Sequence, residues 1–278
     1  MGSITKQFTA ASILLLQDRG KLNVDDLVKK YMPDAPAAWD SITIYQVLTH
    51  TAGLPSFTSF PDYTQFEGNA TTPEKLLARF RDKPLEFQPG ETWNYSNSGY
   101  ALLGYLIEKI SGQTYQEFLQ ANIFTPRHMT DSGYDSNFAI IPQRAAGYSP
   151  GRFGIVGIMN TGYIHMSVPY SAGALYSTTE DLLRWEQGLF GGKVLSAASL
   201  QKMTTPFKHD YGCGLFVRKV DGHNVIEHDG SIEGFDNALS YYPEEKLTIV
   251  VLGNLNGPAP TRLERQLAAA MYSGVSPI

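Results

Sequence analysis

Three short stretches of this 278-residue chain place nucleophilic, basic and hydrogen-bonding side chains at spacings suited to acyl transfer. The first is Ser3-Ile-Thr-Lys6. On a helix, residues three apart share a face, so the Lys6 amine would reach the Ser3 hydroxyl. The helix N-terminus would also stabilise negative charge developing on the serine oxygen. The pattern alone is weak, because Ser199-Leu-Gln-Lys202 matches it too and reads as an ordinary helix cap. The second stretch is Tyr95-Ser96-Asn97. In one reading the Tyr95 phenol takes the Ser3 proton and Asn97 hydrogen-bonds a substrate; in the other, Asn97 simply caps the following helix. The third is His228-Asp229-Gly230, at the expected end of a strand. A lone histidine is ordinarily structural, but a glycine beside it would let a ligand approach the backbone closely.

Hydrophobic periodicity supplies the elements that must hold these residues. Apolar spacing predicts helices over Thr5–Arg19, Thr43–His50, Pro73–Phe80, Gly99–Ile110, Tyr115–Ile123 and Glu180–Leu189. Residues 56–72, rich in Ser, Thr, Pro, Gly and Asn, read as surface loop. The last third changes character. Cys213–Val220 and His223–His228 flank Asp221-Gly222, a strong hairpin signal, and Ala238–Tyr242 and Leu247–Leu252 flank a second turn. A helix over Pro260–Met271 would cover one face of that sheet. Helices, then an antiparallel sheet, then a covering helix is an α+β pattern.

Composition excludes several functions. Hydrophobic residues make up 42% and charged residues 18%, as expected of a chain with a packed core. The net charge of −5, with no basic cluster, argues against nucleic acid or an anionic membrane surface as partner. No apolar run reaches the roughly 18 residues that span a bilayer. The single cysteine, Cys213, rules out an internal disulfide or a cysteine-based zinc site. The six histidines show no His-x-x-x-His or comparable ligand spacing, so no metal or other cofactor is called for. Gly-x-Ser-x-Gly is absent, which removes the α/β-hydrolase elbow, and an all-β chymotrypsin-like fold does not fit the helices.

Taken together and in order, Ser-x-x-Lys, Tyr-x-Asn and His-x-Gly resemble the three signature elements of the serine β-lactamase and penicillin-binding-protein superfamily. The histidine in the third element is similar to that of the class C β-lactamase-like group, with its D-Ala-D-Ala carboxypeptidases, D-aminopeptidases and family VIII esterases. Leu48–Pro55, Tyr95–Gly112 and Ser171–Trp185 extend the resemblance to nearly the whole chain. The resemblance implies a single catalytic domain with a helical lobe over about 20–175 and a sheet lobe over about 176–278, with helix 3–19 between them. It implies an acyl-enzyme on Ser3, with Lys6, Tyr95 and His228 completing the catalytic set and Asn97, Asp229, Gly230 and Ser231 binding substrate. The backbone N–H groups of Ser3 and Ser231 would form the oxyanion hole, and His228 would help hold the Tyr95 phenol. The substrate would be a small ester, amide or peptide; the competing reading is a penicillin-binding or scaffold homologue without turnover. Asp229 stands where relatives that bind a carboxylate often carry Ser or Thr. Its charge would repel a carboxylate, unless it turns away into a structural hydrogen bond. Relatives carry a helix and two strands ahead of the nucleophile, whereas two residues precede Ser3 here. The expectation is a sheet without those strands, whose Leu247–Leu252 edge either self-associates or is covered by a rearranged segment.

Overall fold

The computed structural model describes residues 1–152 and 156–273. Residues 153–155, within the loop of about 150–170 expected to shape the pocket, lie outside the described residues. A 3₁₀ turn over Gly2–Ile4 runs directly into α1 (Thr5–Asp18). Every residue from Thr5 to Leu14 is buried, Lys6 included, so this stretch of helix has no solvent face. In chain order follow α2 (Ile44–Leu48), α3 (Tyr63–Phe66), α4 (Pro73–Ala78), α5 (Asn97–Ser111) and α6 (Tyr115–Leu119). Short antiparallel pairs join β1 (Gly133–Tyr134) to β4 (Leu175–Tyr176) and β2 (Tyr148–Pro150) to β3 (Ile158–Asn160). Next come α7 (Tyr170–Gly173), α8 (Thr179–Phe190) and α9 (Ala197–Thr204). The main sheet holds β5 (Phe216–Val220), β6 (His223–Ile232), β7 (Phe235–Tyr242) and β8 (Leu247–Gly253), antiparallel and in sequence order. Helix α10 (Ala259–Ser273) closes the described chain.

Packing explains why α1 is central. It contacts α5, α7 and α9, and Phe8 stacks on Trp185 of α8 with ring centroids 4.1 Å apart. Its buried polar groups are satisfied: Thr9 Oγ1 donates to the Ser171 carbonyl at 2.7 Å and pairs with Tyr115 Oη at 2.6 Å. On the far face of the sheet, α10 packs against β7 and β8. There the buried Glu264 carboxylate accepts from Ser240 Oγ (2.5 Å) and Tyr242 Oη (2.9 Å).

The α+β architecture follows the expected order, with local differences. The helix expected over Tyr115–Ile123 widens after Leu119 into a π-type turn over Gln120–Phe124, just ahead of Pro126, which has no N–H for a continuing ladder. The expected loop at 56–72 contains α3 and a 3₁₀ turn at Phe57–Ser59. Strand β5 begins at Phe216 rather than Cys213. Strand β6 runs on to Ile232, so His228 sits inside a strand and not at its end. Among the described residues β8 is the terminal strand of its sheet, bonded only to β7. No described helix is long and apolar enough to cross a membrane.

Glu186 is among the buried groups left unsatisfied. Glu186 on α8 is 2% exposed, and its Oε1 is buried without a hydrogen-bond partner. Burial pushes its carboxyl up to about 8. A carboxyl raised in the folded state binds a proton that the unfolded chain releases near 4.5, so its contribution to stability shrinks as pH rises from about 4.5 to 8. Glu186→Gln should therefore match the parent protein near pH 4.5 and be more stable at pH 8, by on the order of 2–4 kcal/mol. Denaturant unfolding at the two pH values checks this; a difference independent of pH would contradict it.

Candidate active site

The site forms where α1, α5, the turn at α7 and β6 converge. Lys6 Nζ lies at the centre, fully buried, with three oxygens around it: Ser3 Oγ at 3.0 Å, Asn97 Oδ1 at 2.8 Å and the Ala172 carbonyl at 2.7 Å. Burial lowers its pKa well below the ordinary lysine value. The Tyr95 ring lies 4.8 Å from Nζ, centroid to nitrogen. Its buried hydroxyl stands beside Ser3 with no hydrogen bond of regular geometry. Burial pushes this phenol upward, and the Ser3 hydroxyl pulls it the other way.

Helix α5 presents Asn97 to the lysine because another residue caps it. Ser96 is the N-cap, its hydroxyl accepting from Gly99 N at 3.3 Å, so capping by Asn97 is not what the structure shows. The Asn97 side chain is left to bridge Lys6 and Thr58, donating from Nδ2 to Thr58 Oγ1 at 3.0 Å. Its backbone N–H donates to Ser56 Oγ at 3.1 Å.

Strand β6 closes the other side. Gly230 has no room for a side chain: a Cβ would stand 1.9 Å from the Met1 carbonyl oxygen. Gly2, at φ +57°, likewise sits against the Ser231 backbone, within 2.7 Å of where its own Cβ would be. These contacts seat the Ser3 turn on the strand. They also correct the expectation that Gly230 opens a path for ligand, since its free face is filled by Met1. The register of β5 ends at Phe216 opposite Glu227, so β6 from His228 onward has no strand on that edge.

His228 is 3% exposed, and burial, reinforced by Lys6, lowers it to about 3. Its Nδ1 lies 2.6 Å from the Asp229 carbonyl, which can only accept, so Nδ1 carries the proton and Nε2 accepts from Tyr211 Oη at 3.3 Å. Both ring nitrogens are thus occupied. His228 meets Tyr95 through ring packing, centroids 6.1 Å apart, with no hydrogen bond between the two side chains. Asp229 is exposed, and its side chain makes no hydrogen bond, so the structural alternative for it is not realised. Strand alternation places it with Glu227 on the face opposite His228, where partial burial of the carboxyl raises it above its ordinary value and Arg265 and Arg218 pull it back in part. Ser231 is exposed on the same strand.

Several contributors lay outside the sequence-derived set: the Ala172 carbonyl, Ser56, Thr58, Tyr211 and His50. Ala172 acts through its backbone, which leaves no mark in residue type. His50 and Ala172 do fall inside the two family-like segments Leu48–Pro55 and Ser171–Trp185. Among the described residues, no group of His, Cys, Asp and Glu could hold a metal ion.

The family model described as Beta-lactamase matches residues 1–272. The putative penicillin-binding protein PbpX of Bacillus subtilis is 34% identical over 255 residues, covering 91% of this chain and 60% of its own length. The chain therefore spans about 60% of that curated relative. The D-stereospecific amidohydrolase of a Streptomyces species superposes with a TM-score of 0.82 at 28% identity, over 91% of this chain and 81% of that one. The octameric penicillin-binding-protein homologue of Pyrococcus abyssi gives 0.80 at 30% identity, over 99% and 66%.

The folded His228 binds its proton about 3.5 pH units later than a free histidine, so between about 6.5 and 3 the unfolded chain holds the extra proton. The stability linked to this neutral ring is complete above pH 6.5 and is lost as pH falls through that window. In His228→Asn, the loss of unfolding free energy between pH 7 and pH 5 should be smaller than in the parent by about 2 kcal/mol. Identical pH dependence of the two proteins in denaturant titrations would contradict a neutral buried His228.

Proposed function

This chain belongs to the Beta-lactamase family, and on that premise we propose that it is a serine hydrolase forming a transient acyl-enzyme on Ser3. The observation that carries the proposal is the environment of Lys6. A neutral amine has two hydrogens and one lone pair. The Ala172 carbonyl and Asn97 Oδ1 only accept, so they take the two hydrogens, and the lone pair faces Ser3 Oγ at 3.0 Å. Desolvation favours this neutral state. Lys6 is then the base that receives the Ser3 proton as the hydroxyl attacks a carbonyl.

Tyr95 takes the complementary role. Burial keeps it a phenol, and its hydroxyl has unused hydrogen-bonding capacity beside Ser3. It can donate to the leaving group and later orient the deacylating water. Asn97 fixes the amine, and the free edge of β6 around Ser231 offers backbone groups to an extended substrate and to the developing oxyanion. His228 acts one step back, as a neutral wall against Tyr95. Asp229, two residues before Ser231 on the same strand, favours neutral esters and amides over substrates bearing a carboxylate, with Arg265 and Arg218 only partly offsetting its charge. The amidohydrolase likeness supports amides within that range. The names of the penicillin-binding relatives favour a second reading, acylation without turnover. An initial burst of p-nitrophenol with no steady release would establish it.

Ser3→Ala should abolish hydrolysis of a short p-nitrophenyl ester while leaving the folded circular-dichroism spectrum unchanged. Undiminished turnover would move the nucleophile elsewhere. Lys6→Ala and Tyr95→Phe should each cost roughly 10²-fold or more in kcat, with the double variant little worse than either single one, because the two act as one proton-transfer unit. Fully multiplicative losses would contradict that coupling. Short neutral esters should be turned over faster than penicillins, and Asp229→Thr should narrow the gap. Efficient hydrolysis of nitrocefin by the parent protein would refute the charge argument.

A further inference from the structure

His50 is fully enclosed behind the site, and nothing in the proton-transfer scheme uses it. It follows the α2 capping-box helix in a left-handed conformation, φ 58°, which β-branched and bulky residues avoid and which Asn tolerates better than most. Its Nδ1 accepts from Ser96 N–H at 3.1 Å. That donor can only donate, so Nε2 carries the proton, and this N–H is buried with no hydrogen-bond partner. It lies among four rings: Tyr95 at 4.3 Å, Tyr211 at 4.7 Å, Tyr100 at 5.0 Å and Trp93 at 6.0 Å between centroids.

The bond from Ser96 matters because of what flanks it. Ser96 is the N-cap of α5, at φ −132° and ψ 114°, with Tyr95 on one side and Asn97 on the other. Holding its N–H fixes the turn that sends the Tyr95 phenol to Ser3 and the Asn97 amide to Lys6. The ring also packs directly on Tyr95. An unsatisfied buried donor and a strained backbone are costs that a purely space-filling residue would not need to carry.

We infer that His50 is a positioning residue: as the neutral Nε2–H tautomer, it holds the Tyr95-Ser96-Asn97 turn in register with Ser3 and Lys6 and buttresses the Tyr95 ring. This rests on the proposed roles of Ser3, Lys6 and Tyr95. The charged and titratable groups around the ring, Lys6, His228, Tyr95, Tyr100 and Tyr211, all favour neutrality or are themselves neutral, and burial lowers His50 well below the ordinary histidine range.

The test compares two variants with the parent in p-nitrophenyl ester hydrolysis. His50→Asn keeps a left-handed-tolerant residue and puts an amide oxygen near the place of Nδ1. His50→Leu keeps apolar bulk and removes the acceptor. His50→Leu should lose at least 10-fold in kcat with KM changed less than about 3-fold, and His50→Asn should recover to within about 3-fold of the parent. Parent-like kcat in a folded His50→Leu, or equal losses in two variants of equal melting temperature, would overturn the inference. Long-range ¹H–¹⁵N spectra of the parent protein give a second readout that needs neither variant nor activity. They should show His50 as the neutral Nε2–H tautomer from pH 5 to 8; a titrating ring or a proton on Nδ1 would overturn the inference even if His50→Leu fails to fold. Retention of activity in Ser3→Ala alongside the expected tautomer would instead count against the nucleophile and not against the geometry of His50.

Discussion

One buried amine organises this protein. Lys6 sits at the base of a helix with no solvent face over its first turns, and desolvating an ammonium there is costly unless it is well paired or gives up its proton. Its three oxygen neighbours come from three separate elements: Ser3 from the entry turn, Asn97 from α5 and Ala172 from the turn at α7. None of them is anionic, so nothing nearby restores the charge by pairing. Satisfying that one nitrogen therefore requires α1, α5 and α7 to meet at a single point. The contacts of Thr9 with Ser171 and Tyr115 maintain the same meeting.

The surroundings extend this logic outward. His50 and His228 are enclosed with Lys6, and each is pushed toward its neutral form by burial and by the lysine. The rings of Trp93, Tyr95, Tyr100 and Tyr211 crowd around His50, and burial raises the three phenols. The same burial shifts the bases toward their neutral forms and the phenols toward keeping their protons, as the proposed transfer of the serine proton to the lysine requires. Buried but unpartnered hydroxyl and imidazole hydrogens, on Tyr95 and His50, mark where stability has been given up for the site.

Much of this was legible in the sequence, for identifiable reasons. Ser3 and Lys6 are one helical turn apart, and local spacing carries that information directly. The hairpin around Asp221-Gly222 and the covering helix are encoded by turn chemistry and periodicity. What stayed hidden depends on long-range packing. The Ala172 carbonyl, the tautomer of His228 and the Met1 contact that fills the space over Gly230 are backbone or through-space facts, with no local signature. Asn97 was ambiguous between cap and ligand because both uses suit Asn at a helix start; the neighbouring Ser96 resolved it by taking the cap. The strand expected to end at His228 continues, because pairing with β7 carries β6 on to Ile232, a long-range contact with no local signature.

The central claim is that a neutral Lys6 activates Ser3. The most direct measurement is the pH dependence of covalent labelling by a fluorophosphonate, with the adduct located by peptide mass spectrometry. The account predicts a single adduct on Ser3, a labelling rate that rises through one ionisation well below the ordinary lysine range, and loss of that rise in Lys6→Ala. An adduct on Ser96 or Ser199, or a rate that climbs only as an ordinary lysine deprotonates, would contradict it.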